Sequence, residues 1–164
     1  MRIKRDFYNR SALKVAKELL GHFLVRKIGR KIYRCKITET EAYCGIKDLA
    51  CHASKGRTKR TEVMFGPAGH AYVYLIYGMY HCLNIVTKEN GGAVLIRGLE
   101  GIEGPGKICR DLKINKNMNG ADITKSQKLW MEIVEKPKKI TRAARNGIDY
   151  AGEFKNKLWR FIIK

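Results

Sequence analysis

The chain has 164 residues, with 34 Lys or Arg against 15 Asp or Glu, a formal charge of +19, and 45% apolar residues. That length fits one domain, residues 1–164, with a modest core. No apolar run approaches the ~18–20 residues of a membrane-spanning helix. The charged start Met1–Arg10 has no apolar stretch behind it, so an intracellular protein without a secretory signal or membrane association is expected. Charge of this size exceeds what solubility needs and repels itself, so a polyanion, most commonly nucleic acid, would offset it.

The elements follow in chain order. Residues ~6–20 read as an opening helix, with Phe7, Leu13, Ala16, Leu19 and Leu20 as its apolar stripe and Gly21 as its stop. Two β-type runs follow, Phe23–Ile28 and Lys31–Tyr43, joined by a tight Gly29-Arg30 hairpin. On the second run, alternation sets Glu39, Glu41 and Tyr43 on one face and Thr38, Thr40 and Ala42 on the other. A solvent-facing acidic stripe that pairs with nearby lysines is one reading of that pattern. General base chemistry is the other, since carboxylates near a phosphate-binding surface repel it and need a reason to be there.

Cys44 to Gly69 is long, polar and mostly irregular, with Lys55, Arg57, Lys59 and Arg60 around Gly56. Such loops in compact domains are usually functional or disordered. The most β-prone stretch comes next, His70–Ile76 and Tyr80–Val86, joined by Tyr77-Gly78-Met79. Tyr77 at that tip would face solvent, where an aromatic ring on a basic domain suits base stacking or a wedge into a duplex. Tyr74 points inward from the same strand. Asn84 sits in an otherwise apolar run and needs a partner if buried.

Ala93–Leu99 forms another strand, and Arg97 at its end calls for an anion such as phosphate or Glu41. Gly104-Pro105-Gly106 opens a short helix, Lys107–Leu112. Shorter strands are expected around Leu129–Glu135, Lys139–Arg145 and Leu158–Ile163. Strands outnumber helices and hairpins dominate. The expected fold is α+β: a single compact domain with a curved, mainly antiparallel sheet, flanking helices and a protruding hairpin.

The five cysteines, Cys35, Cys44, Cys51, Cys82 and Cys109, form no CxxC pair and no disulfide framework. Cys44, Cys51 and His52 are close in sequence, but a zinc site lacks its four well-spaced ligands. No metal and no cofactor is expected.

The chain resembles the alkyladenine (3-methyladenine) DNA glycosylase family, the N-methylpurine DNA glycosylase type. The resemblance is carried by Glu39-Thr40-Glu41-Ala42-Tyr43, His52, the block Gly69–Asn84 around Tyr74-Leu75-Ile76-Tyr77-Gly78-Met79-Tyr80, and Ala93–Arg97. It continues through Gly104-Pro105-Gly106-Lys107, Asp149-Tyr150-Ala151-Gly152-Glu153 and Trp159-Arg160-Phe161. These pieces span nearly the whole chain in the family's order.

The resemblance implies that Glu41 holds and deprotonates an attacking water, with Arg97 orienting both. It implies that Tyr43 and His52 on one side and Tyr74 on the other sandwich a flipped base. Asn84 would disfavour normal guanine by crowding its exocyclic amine. Tyr77 would fill the gap in the duplex, with Met79 and Tyr80 along the DNA beside it. The implied partner is duplex DNA carrying damaged purines, the implied protein a monomer, and the implied reaction hydrolysis without strand cleavage. Gly98 and Gly101 depart from the family's common Ala and Pro and would loosen the turn after the pocket. His81 stands where an apolar or aromatic residue is common. Two other readings stand beside this one. A non-catalytic nucleic-acid-binding module accounts for the charge and tyrosines but not for Glu41 and Arg97. A thiol or metal enzyme would be built on Cys44, Cys51 and His52.

Overall fold

The computed structural model describes residues 1–134, 136–137 and 139–164. Its frame is a nine-stranded sheet in which every pairing among the described residues is antiparallel. The strands are β1 (Phe23–Ile28), β2 (Lys31–Cys44), β3 (Ala71–Ile76), β4 (Tyr80–Val86), β5 (Gly92–Leu99), β6 (Ile102–Glu103), β7 (Leu129–Glu132), β8 (Ile140–Ala143) and β9 (Arg160–Ile163). The main order is β3-β4-β5-β2-β1-β7. β2 is the spine: its first half pairs with β1, its second half lies between β5 and β9, and β8 extends the sheet beyond β9. This is the expected α+β class.

The helices are α1 (Arg5–Tyr8), α2 (Ala12–Leu19) and α3 (Pro105–Asp111). The opening helix expected over ~6–20 is therefore two helices. Ser11 breaks it: its hydroxyl accepts from Lys14 N–H, and Glu89 Oε1 accepts Ala12 N–H at 2.6 Å. A serine offering a cap and a distant carboxylate satisfying the next donor make a helix start there more favourable than continuation. α2 buries Ala12, Val15, Ala16 and Leu19 against β2, and Thr40 Oγ1 donates to Ala16 O at 2.8 Å inside that contact. Burying its larger aliphatic side chains stabilises the fold by roughly 1.5–3 kcal/mol each.

A β-bulge matters most for the site. The β2–β5 register shifts on both sides of Glu39. An extra residue changes which parity faces the core. Ile37 is buried before the bulge; Thr40 and Ala42 are buried after it. Glu41 and Tyr43 are thereby turned to the face opposite α2. Gly98 on β5 lies close against the bulge: a Cβ there would lie 3.0 Å from both Glu39 Cβ and Thr38 Oγ1, so a side chain would require those neighbours to give by a few tenths of an ångström.

The loop from Cys44 to Gly69 carries three short 3-10 turns, Gly45–Lys47, His52–Lys55 and Glu62–Phe65. The short helix begins at Pro105, whose missing N–H suits a first turn. The late strands are shorter than expected, and Glu135 lies outside the described residues. Asp149–Asn156 folds as a kinked 3-10 segment that the sequence reading left without structure.

Candidate active site

Residues of β2, β3, β4 and β5, the His52 turn, the start of α3 and the segment after β8 line a cavity of about 530 Å³. That is the size of a site for a small organic group. Glu41, Tyr43, His52, Tyr74, Tyr77, Tyr80, Asn84 and Arg97 all line it; of the residues to which the resemblance gives a role, Met79 does not. Met79 projects from the hairpin tip, 66% exposed.

Glu41 is at the floor with no accessible surface. Its Oε2 accepts the Asn146 backbone N–H at 3.0 Å. Its Oε1 has Arg97 Nη1 at 3.3 Å but no hydrogen bond. Burial pushes the carboxyl pKa above its ordinary value, against the opposing pull of Arg97, the Asn146 N–H, Arg145 and Arg160. Glu39 is a different case. Its Oε1 accepts from Arg97 Nε at 3.2 Å and Arg160 Nη1 at 2.9 Å, so it spends itself on fixing two guanidinium groups. The acidic pair is thus neither solvent-facing nor lysine-paired: one carboxylate anchors arginines, and the other keeps a free oxygen.

His52 packs edge-on against Tyr74, ring centroids 4.6 Å apart at 71°, and its Nδ1 shares a 3.0 Å hydrogen bond with Tyr72 Oη. That contact leaves no room for a planar ring between His52 and Tyr74. Burial and the cations Arg60 and Lys55 bring the His52 pKa down to about 4, so the ring is neutral at physiological pH. Arg60 lies 5.5 Å over the Tyr74 ring, tying the basic loop to that wall.

Asn84 is buried, its Nδ2 donating to Tyr72 O at 3.4 Å, with the side chain against the cavity. Tyr77 stands at the β3–β4 tip, 85% exposed. Its φ is +53° and that of Gly78 +68°, and Met79 N–H closes the turn on Ile76 O at 3.2 Å. A bulky residue in the left-handed region is strained by roughly 1–2 kcal/mol, and no burial of the ring compensates. A turn of this hand needs positive φ at both central positions, which Gly, Asn or Asp meets with less strain than Tyr.

Sequence reasoning missed the support behind Tyr43. Arg145 and Asp48 form a fully buried bidentate pair, at 2.6 and 3.0 Å. Arg145 also donates to Ala42 O at 3.0 Å and is held between the rings of Tyr43 and Trp159, at 4.9 and 4.8 Å. Asp48 accepts the N–H groups of Cys44 and Ala50. The pair locks the Cys44–Ala50 turn, the Tyr43 ring and the segment carrying Asn146 into one unit. Its members are 97 positions apart, and no local pattern joins them.

The thiols are poor nucleophiles here. Burial pushes Cys44 up to about 12 and Cys51 up to about 11, and raises Cys82 as well. Among the described residues no group of three or more His, Cys, Asp or Glu is placed to hold a metal ion. No helix among them is long and apolar enough to cross a membrane.

The family model described as methylpurine-DNA glycosylase matches residues 6–104 and 101–164. A protein of Methanocella arvoryzae is 48% identical over 99% of this chain and 92% of its own length. One of Clostridium perfringens is 45% identical, covering 100% of this chain and 96% of its own. One of Legionella pneumophila strain Corby is 47% identical, covering 99% and 94%. Each bears the name "Putative 3-methyladenine DNA glycosylase". The chain belongs to the methylpurine-DNA glycosylase family.

Proposed function

We propose that this protein flips damaged purines out of duplex DNA and hydrolyses their N-glycosidic bond with a water activated by Glu41, leaving an uncut abasic strand. Glu41 carries the reading. It is a fully buried carboxylate with one oxygen free of donors, below an aromatic cavity, in a chain of +19 charge. A buried anion without its full set of donors is destabilising, and a nearby water or developing cation would satisfy it.

The steps follow from ordinary chemistry. A base within the duplex is out of reach, and extruding it costs a few kcal/mol, least where damage has weakened its pairing. Tyr77 fills the gap. Tyr43 meets one face of the base, and His52 with Tyr74 the other; each stacking contact contributes about 1–3 kcal/mol. A neutral His52 avoids repelling a purine made cationic by alkylation. Asn84 crowds an exocyclic amine at the pocket wall and so disfavours normal guanine. As the glycosidic bond lengthens, positive charge grows on the sugar. Ionised Glu41 stabilises that charge and takes the proton of the water that bonds to the anomeric carbon, while the bonding electrons leave with the purine. Met79 and Tyr80 lie along the DNA beside the wedge. The protein acts as a monomer inside the cell, without metal or cofactor.

Product analysis tests the reaction. Incubated with duplex DNA carrying methylated purines, the protein should release free methylpurine and leave strands that break only on later alkali treatment. Strand breaks without alkali, or a protein–DNA adduct trapped by borohydride, would replace hydrolysis with a lysine-based lyase. Tight binding with no base release would leave a binding module.

A further inference from the structure

Asn146 follows the buried Arg145 and touches both members of the proposed hydrolytic pair. Its backbone N–H donates to Glu41 Oε2 at 3.0 Å. Its side-chain oxygen accepts from Arg97 Nη2 at 2.7 Å and Nε at 3.1 Å. The amide oxygen has to face the guanidinium, because its nitrogen would set donor against donor. Arg97 is therefore shared among Asn146, Glu39 and Glu41, and the contact it leaves incomplete is the one to Glu41 Oε1.

We propose that the Asn146 side chain is a positioning residue that draws the Arg97 guanidinium aside, so that Glu41 keeps one oxygen free to take a proton from water. The proposal rests on the reading of Glu41 as general base. A full charge-assisted hydrogen bond from Arg97 to Oε1 would occupy the lone pair that water needs and make the carboxylate less basic. By holding Nη2 and Nε, Asn146 keeps the cation near enough to orient the site without capping it. The charged and titratable groups around Glu41 are Arg97 on β5, Arg160 on β9, Arg145 after β8, Glu39 and Tyr43 on β2, and Cys82 on β4. Of these, Arg97 is the one that Asn146 restrains through its amide.

The test compares the pH dependence of single-turnover base release from methylated duplex DNA for wild type, Asn146→Ala and Asn146→Asp, with thermal unfolding to establish that each is folded. Asn146→Ala frees Arg97 to close on Glu41. Its maximal rate should fall roughly tenfold with DNA affinity unchanged, and its acid limb should move to lower pH. Asn146→Asp still accepts from Arg97 but sets a negative charge beside Glu41, so its acid limb should move to higher pH. The fall for Asn146→Ala is the signature, and the rise for Asn146→Asp shows that Glu41 feels a charge at this position; a merely structural role would leave the Asn146→Ala limb at its wild-type pH. An Asn146→Ala limb that coincides with wild type or moves to higher pH overturns the proposal. If Asn146→Ala does not fold, Asn146→Leu, which also removes the acceptor, takes its place, and a limb that fails to move to lower pH overturns it. A wild type that releases no base overturns the general-base reading and this proposal with it.

Discussion

At the scale of single residues, two side chains sit where stability alone would not put them. Glu41 is ionisable, buried and under-satisfied. Its folded pKa is raised, so its contribution to stability is complete below the ordinary carboxylate value and is lost as pH rises through the folded one. Glu41→Gln should therefore unfold at a higher temperature than wild type at pH 7–8, and the gap should close toward pH 4.5. A lower melting temperature for the variant at pH 7.5 would mean that the carboxylate is a structural ion-pair partner. Tyr77 is the second. Its ring is exposed and its backbone left-handed, and Asn tolerates that conformation better. Tyr77→Asn should gain about 1 kcal/mol of stability while its flipping of a fluorescent reporter base beside the lesion falls several-fold. Loss of stability together with unaltered flipping would remove Tyr77 from the role of wedge.

At the scale of elements, much of the frame is legible because local chemistry and tertiary packing agree. β1 and β2 keep their alternation and their Gly29 turn (φ +58°), and the observed pairing runs without a break from Phe23–Lys36 to Ile28–Lys31. The split between α1 and α2 was harder to read, since the apolar spacing runs through it and only Ser11 marks the start. The β2 bulge has no local signal; it lies against Gly98, a residue ~60 positions away in sequence that comes within touching distance of Glu39. The site residues share this division. Glu41, Tyr43 and Arg97 stand out because charge or aromaticity is out of place on an apolar strand. Arg145, Asp48 and Asn146 lie in polar segments where nothing distinguishes them from surface residues, and His52 gives no hint that it will lean on Tyr74. The Arg145–Asp48 pair also makes a prediction at this scale. Asp48→Asn leaves a buried guanidinium uncompensated, which should lower stability by about 3–5 kcal/mol, seen as a large drop in the urea midpoint. A shift under about 1 kcal/mol would show that the pair is dispensable to the wall behind Tyr43.

For the whole molecule, charge and shape divide the work. The +19 net charge attracts any duplex by displacing counterions and cannot recognise a lesion. On the proposed mechanism, discrimination falls to the cavity and the hairpin tip. Affinity for undamaged duplex should accordingly fall steeply and linearly on a log–log plot against salt, and Glu41→Gln should leave that slope unchanged because it touches no phosphate. A flat salt dependence would contradict the electrostatic account of docking. Excision should follow a different rule, responding to the cavity residues and little to changes on the basic surface once DNA is saturating.

The central claim is that one buried carboxylate performs the hydrolysis. The most direct measurement is single-turnover release of methylpurine from duplex DNA at saturating protein, wild type beside Glu41→Gln, with lesion affinity measured in parallel. The variant should bind the damaged duplex as tightly as wild type and release base at least about a hundredfold more slowly. Release by Glu41→Gln at a rate close to wild type would contradict that claim and assign the chemistry to another group.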